Sequence, residues 1–307
     1  MNEYGKMMCY VAFSVHFRRN WYFYRGKNGR LMALKIAILG CGWLGFPLAR
    51  RLKNEGYQIR GSVTNEERMN ELRQAGIQAF KILLERDRLV QDNTGFFDCD
   101  VLVVAFPPRR ISGIEEIYPQ QLQQLTDELN THTDIKVLFV SSTSVYQEQG
   151  QTALERDRLH PDKSSGKAVA AAEHVLIQKF GRAITIVRFG GLIGADRNPA
   201  RFLLHKKGTV AGNKPVNVIH RDDCLEIISR IIRQKVWGEI FNACCPEHPS
   251  RKEFYRKAAV VSKMPSPVFS SEIEPFKIID SSRLIHQLDY QFIYPSPLDY
   301  LDQLAED

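Results

Sequence analysis

Gly40, Gly42 and Gly45 in the run "GCGWLG" stand at the spacing G-x-G-x-x-G, directly after the apolar stretch "KIAIL" (35–39) and at the start of an amphipathic one. Isolated, that spacing says little; between a strand and a helix it is a strong signal. The first glycine permits a tight turn, and the second lets backbone approach a pyrophosphate. The third lets helix and strand pack closely, with the anion at the positive helix end. Trp43 and Leu44 lie inside the motif and are candidate phosphate neighbours. The plainer reading is a tight strand–helix turn without a ligand.

A dinucleotide seated there would present its adenosine ribose to the end of the second strand, about twenty residues on. An Asp or Glu at that point commonly accepts the ribose 2′-hydroxyl in NAD proteins. Here the text reads "RGSVTNEER": Ser62 and Thr64 close the strand, no acid comes before Glu66, and Arg68 follows. Hydroxyls and a guanidinium suit a 2′-phosphate, which a carboxylate would repel. The expected cofactor is therefore NADP, with NAD as the alternative. Arg68 read as a solvated helix residue remains open.

The elements that must position these residues alternate strand and helix. "KIAIL", "YQIRGSV", "IQAFKIL", "DVLVVAF", "KVLFVSS" and "AITIVRF" read as six strands. "WLGFPLARRLKNEG", "NEERMNELRQAG", "IEEIYPQQLQQLTDELN" and "GKAVAAAEHVLIQKFG" read as the helices between them. Continuous apolar strands separated by amphipathic helices call for a parallel sheet covered on both faces. Ligands bind such sheets at the carboxyl ends of the strands, which adds Ala105, Phe106 and Pro107 to the cofactor candidates and brings Arg109 and Arg110 near an anionic substrate. The chain divides into an extension (1–31), a dinucleotide-binding core (32–190) and a remainder (191–307) that supplies the last sheet elements and a small substrate lobe.

The formal charge of +7 invites a nucleic-acid partner, but six basic residues against Glu3 alone put +5 of it within residues 1–31, leaving +2 elsewhere. A basic strip confined to one tail is a poor nucleic-acid footprint. The tail holds eight aromatics without helical or strand periodicity. It reads as a disordered extension or a non-native start ahead of Met32, or else as an interaction arm. With no apolar run of eighteen residues there is no membrane span. The six cysteines show no metal-ligand spacing, Cys244 and Cys245 read as buried strand-end thiols, and the expected setting is a reducing cytoplasm.

From Lys35 to Leu301 the chain resembles the extended short-chain dehydrogenase/reductases, in their epimerase/dehydratase branch. The resemblance rests on the order of "GCGWLG", "VLFVSSTSVY", "RFGGLIG", "NVIHRDD" and "IIDSSRLIHQLDYQFIYPS". It implies an α/β fold with a Rossmann-type doubly wound parallel sheet and a small interwoven C-terminal lobe. It further implies a small-molecule substrate such as a sugar nucleotide, and leaves a homodimer open. Counting back from Tyr146, it gives Ser142 the role of hydrogen-bonding the substrate beside the nicotinamide. A polar strand-end residue is the alternative.

The same family uses a tyrosine with a lysine four residues later as its acid/base pair, both on one helix face. Aligning the following glutamate on Glu173 puts Ser165 in the tyrosine slot and Val169 in the lysine slot. Lys167 lies about 200° round the helix from Ser165 and does not substitute. None of the eleven tyrosines is followed by lysine at the fourth position. Similar gaps mark the "atypical" members of the superfamily. Tyr146, His160 and Lys163 are the stand-ins to be weighed, and Asp222 in "HRDD" reads as a helix N-cap or a residue near the substrate lobe. An NADP-dependent epimerase- or reductase-like enzyme is thus one reading, a non-catalytic dinucleotide sensor a second, and a structural interaction protein a third.

Overall fold

The structure is a computed structural model describing residues 23–25 and 31–306, apart from 87, 92–94, 130–133, 195 and 204–208; of 23–25, 31 and 32 it describes the backbone alone. Most of the N-terminal extension thus lies outside the described residues. Of it, Phe23–Arg25 pairs antiparallel with Leu31–Ala33.

The central sheet has eight strands. Seven are parallel: β1 (Lys35–Leu39), β2 (Gln58–Val63), β3 (Gln78–Leu84), β4 (Val101–Val104), β5 (Lys136–Ser142), β6 (Ile184–Phe189) and β7 (Ile240–Ala243). Their spatial order is β7-β6-β5-β4-β1-β2-β3, and the edge strand Leu89–Gln91 runs antiparallel to β3. The expected doubly wound sheet is present, with β1 central between β2 and β4. The strand order reverses there, which opens a crevice at the carboxyl ends.

Alternation explains why these strands read as unbroken apolar runs. Ile36, Ile38, Val101 and Val103 join the core on one face; Ala37, Leu39, Leu102 and Val104 join the core on the other. The first face carries α1 (Gly45–Asn54), α2 (Glu66–Gln74) and later α5 (Arg221–Gln234), and the second carries α3 (Ile114–Glu128) and α4 (Ser164–Phe180). Gly56 and Gly76, at φ +96° and +65°, let the chain leave α1 and α2 in the left-handed region. Asn65 caps α2 by accepting from the Arg68 backbone N–H at 2.9 Å.

Beyond Phe189 three short parallel pairs build the lobe: Gly191–Ile193 with Val218–His220, Val210–Ala211 with Phe269–Ser270, and Lys277–Ile279 with Gln151–Ala153. The last pair ties the lobe to the loop before α4. A separate small core around Val216, Phe254, Tyr300 and Leu301 joins α6 (Arg251–Val261) to α8 (Pro297–Glu306), while α7 (Ser282–Leu288) packs on the sheet core through Leu284 and Leu288. Among the described residues no helix is long and apolar enough to cross a membrane.

Candidate active site

The glycine loop leaves β1 and enters α1 at the crevice. Gly40 has φ +100°, a region L side chains avoid, and a Cβ there would also press on the Phe106 backbone nitrogen at 3.0 Å. A Cβ on Gly45 would come within 2.2 Å of the Gly40 carbonyl oxygen, so α1 packs against the turn only because Gly45 lacks one. Gly42 differs: nothing lies within 4 Å of its Cβ direction. That open face is the room a pyrophosphate needs.

Ser62 holds this loop from β2. Its Oγ accepts from Gly40 N–H at 3.0 Å and its carbonyl accepts from Cys41 N–H at 2.8 Å. With 2% of its surface exposed, it braces the turn and also contributes to the cavity lining. Thr64 and Arg68 are the outward residues, and both line the cavity with the glycine loop. Arg68 pairs with Glu71 at 2.9 Å on the half-open helix surface. Neither Asp nor Glu lines this cavity among the described residues.

The opposite wall is Ala105, Phe106 and Pro107, following β4. Tyr118 on α3 fixes it by donating its hydroxyl hydrogen to the Phe106 carbonyl oxygen at 2.8 Å. The cavity measures about 640 Å³, and a second of about 300 Å³ adjoins it beside Ile82, Leu84, Pro108 and Gln121. An apolar slot next to Thr64 and Arg68 has the character required by an adenine ring, and the larger space leads towards β5 and β6.

Ser142, Val169, Phe189, Gly190 and Gly191 form that far end. Ser142 Oγ accepts from Ser144 N–H at 3.1 Å, so its own hydrogen is available to another acceptor. Val169 lies on the cavity wall. Ser165 does not; it is exposed in the first turn of α4. The helix is held close by Gly166, whose Cβ would meet the Ser144 carbonyl oxygen at 2.4 Å. Lys167, His160 and Lys163 are exposed and outside the cavity lining.

Tyr146 belongs to the core and not to the cavity. Its hydroxyl donates to Asn242 Oδ1 at 2.8 Å and accepts from Arg188 Nη1 at 2.5 Å; burial pushes its pKa up to about 12. Arg188 in turn binds Glu173, which accepts from Ser141 Oγ. Sequence could not show that β6 and β7 surround Tyr146 with these partners. Asp222 is likewise corrected as an N-cap: His220 caps α5, its Nδ1 accepting from Asp222 N–H at 3.2 Å. Burial lowers the His220 pKa, consistent with a neutral ring packed on Tyr294 and Tyr300.

Sequence reasoning missed Arg197, which lines the cavity and sets its guanidinium carbon 4.2 Å from the Trp43 ring centroid. No local pattern marks it, because its place depends on the lobe folding back over the glycine loop. Trp43 also donates its indole N–H to Asp196 Oδ1.

A family model described as NADP oxidoreductase coenzyme F420-dependent matches residues 35–129, from β1 past α3. Among solved structures, a protein of Methylobacillus flagellatus provisionally named an NAD-dependent epimerase/dehydratase is 25% identical with TM-score 0.68. The match covers 90% of this chain and 98% of that one. UDP-glucuronic acid 4-epimerase of Bacillus cereus, in complex with UDP-glucuronic acid and NAD, has TM-score 0.70 at 19% identity over 89% and 98% of the two chains, a likeness of fold. Fold and cavity together define an NAD(P)-binding protein with the Rossmann-type architecture of the epimerases and reductases. Protein YeeZ of Escherichia coli (strain K12) is 34% identical over 268 residues, 86% of this chain and 97% of that protein, and the chain belongs to its family.

Proposed function

We propose that this protein binds NADP(H) and acts as an epimerase- or reductase-like enzyme on a sugar nucleotide or a similarly polar, anionic metabolite. The observation that carries the reading is one continuous cavity running from Thr64 and Arg68, past the glycine loop, to Ser142, with no carboxylate along its wall among the described residues. A 2′-phosphate meets only hydroxyl, guanidinium and backbone groups there. When bound, the nicotinamide supplies or accepts a hydride. Ser142 donates its hydrogen to a substrate oxygen at the far end, and Val169 gives the nicotinamide side a dry apolar wall. The unpaired described cysteines support a reducing, cytoplasmic setting, and a homodimer is carried over from the resemblance.

A specific observation favours a second reading, a non-catalytic dinucleotide sensor. Among the described residues the cavity wall holds no histidine or carboxylate to serve as a general acid, and burial pushes the Cys41 thiol up to about 12 and raises the Tyr118 phenol. With Val169 and Ser165 in the acid/base slots, proton transfer falls to solvent or substrate.

Turnover separates the two. With NADP+ bound, a panel of sugar nucleotides should be oxidised slowly, and with NADPH bound their keto forms should be reduced slowly, because general acid–base help is typically worth about 10²–10⁴-fold. Ser142→Ala should slow that residual reaction further while leaving NADPH affinity unchanged. Tight NADPH binding with no turnover of any substrate would favour the sensor. Rapid wild-type turnover would show that another acid serves the cavity.

A further inference from the structure

Arg197, in the lobe loop after Gly194, lines the cavity opposite the wall that follows β4. Among the described residues its guanidinium has no ion-pair partner within 4.0 Å. The adjacent Asp196 carboxylate has one oxygen occupied by the Trp43 indole N–H. Arg221 also stacks on Trp43, at 5.2 Å, and its Nε is buried without a hydrogen-bond partner. Arg197 itself is exposed on one side and rests on Trp43 on the other. Burial at the cavity disfavours the Arg197 charge, and an anion held against the guanidinium would offset that cost.

We propose that Arg197, seated on Trp43, is the oxyanion-binding point of this cavity and takes a phosphoryl group of the bound ligand. The contact of Arg197 with Trp43 of the glycine loop places it beside the open face of Gly42, where a pyrophosphate fits. A guanidinium offers a fork of N–H donors to two phosphoryl oxygens at once, and the indole behind it restricts its rotamers, so less entropy is lost on binding. This assignment rests on the dinucleotide reading above and adds a residue from the lobe that would close over the cofactor. Two sources share the chemistry: the pyrophosphate of the dinucleotide and a phosphate of the substrate.

The test compares wild type with Arg197→Ala and Arg197→Lys in the full chain, each checked for an unchanged melting temperature. One arm titrates NADPH; the other titrates UDP into protein saturated with NADP+. Loss of a charge-assisted contact should weaken binding about tenfold or more, with Arg197→Lys intermediate because an ammonium lacks the fork. Weakening in the NADPH arm assigns the oxyanion to the cofactor, and weakening confined to the UDP arm assigns it to the substrate. Unchanged affinity for both probes in Arg197→Ala overturns the inference while leaving the cofactor reading intact. Failure of wild type to bind NADPH would overturn the cofactor reading, and this inference with it.

Discussion

Arg188 grips the Glu173 carboxylate with two arms, Nε at 3.0 Å from Oε1 and Nη2 at 2.7 Å from Oε2, both side chains enclosed directly behind the cavity floor. The pair joins β6 to α4, the helix that carries Val169, and Ser141 of β5 donates to the same carboxylate. Sheet, helix and cavity floor thus meet at one buried charge pair.

Breaking one partner of such a pair leaves the other charged and unsatisfied. Glu173→Gln is expected to destabilise the fold by about 3–5 kcal/mol, read as a lower urea midpoint at unchanged slope. A loss under about 1 kcal/mol would mean that solvent reaches the pair.

The glycine loop allows folding and binding to be separated. In Gly42→Ala the added Cβ meets nothing, so the melting temperature should be nearly unchanged, yet it occupies the space assigned to the pyrophosphate and NADPH affinity should fall about tenfold or more. Gly45→Ala forces a methyl against the Gly40 carbonyl oxygen and should cost about 1–3 kcal/mol of stability. Equal NADPH affinity in Gly42→Ala and wild type would place the phosphates elsewhere.

Much of this was legible in the sequence, for identifiable reasons. β1 and β4 are buried on both faces, so their apolar runs are unbroken, and the glycine spacing fell between a strand and a helix. The lobe strands were not legible, since pairs such as Val210–Ala211 and Phe269–Ser270 are too short to show a period. The edge strand Leu89–Gln91 is equally short and half-buried. Side-chain roles set by distant partners were also hidden. Ser62 turned inward to brace Gly40, Tyr146 met Arg188 and Asn242, and Arg197 found Trp43 from the other end of the chain.

Asp223, in the first turn of α5, gives a pH signature. Burial raises its pKa to about 6, against hydrogen bonds from the Tyr290 hydroxyl (2.6 Å) and the Ile293 and Tyr294 N–H groups. Its ordinary value is 3.8, so between these pH values the folded state holds the proton more tightly than the unfolded chain does. The contribution of this group is therefore full below about pH 4 and is lost as pH rises to about 6, at most about 3 kcal/mol. Asp223→Asn should remove that slope from the difference between the two stability–pH curves measured by urea unfolding. Parallel curves would show that Asp223 titrates at its ordinary value.

The central claim is a cavity built for NADP(H), and paired titrations of NADPH and NADH into wild type and Arg68→Ala test it most directly. Wild type should bind NADPH more tightly than NADH. In Arg68→Ala the preference should narrow by about tenfold or more through weaker NADPH binding alone, because only NADPH carries the 2′-phosphate. Tighter binding of NADH by wild type, or no binding of either, would contradict the account.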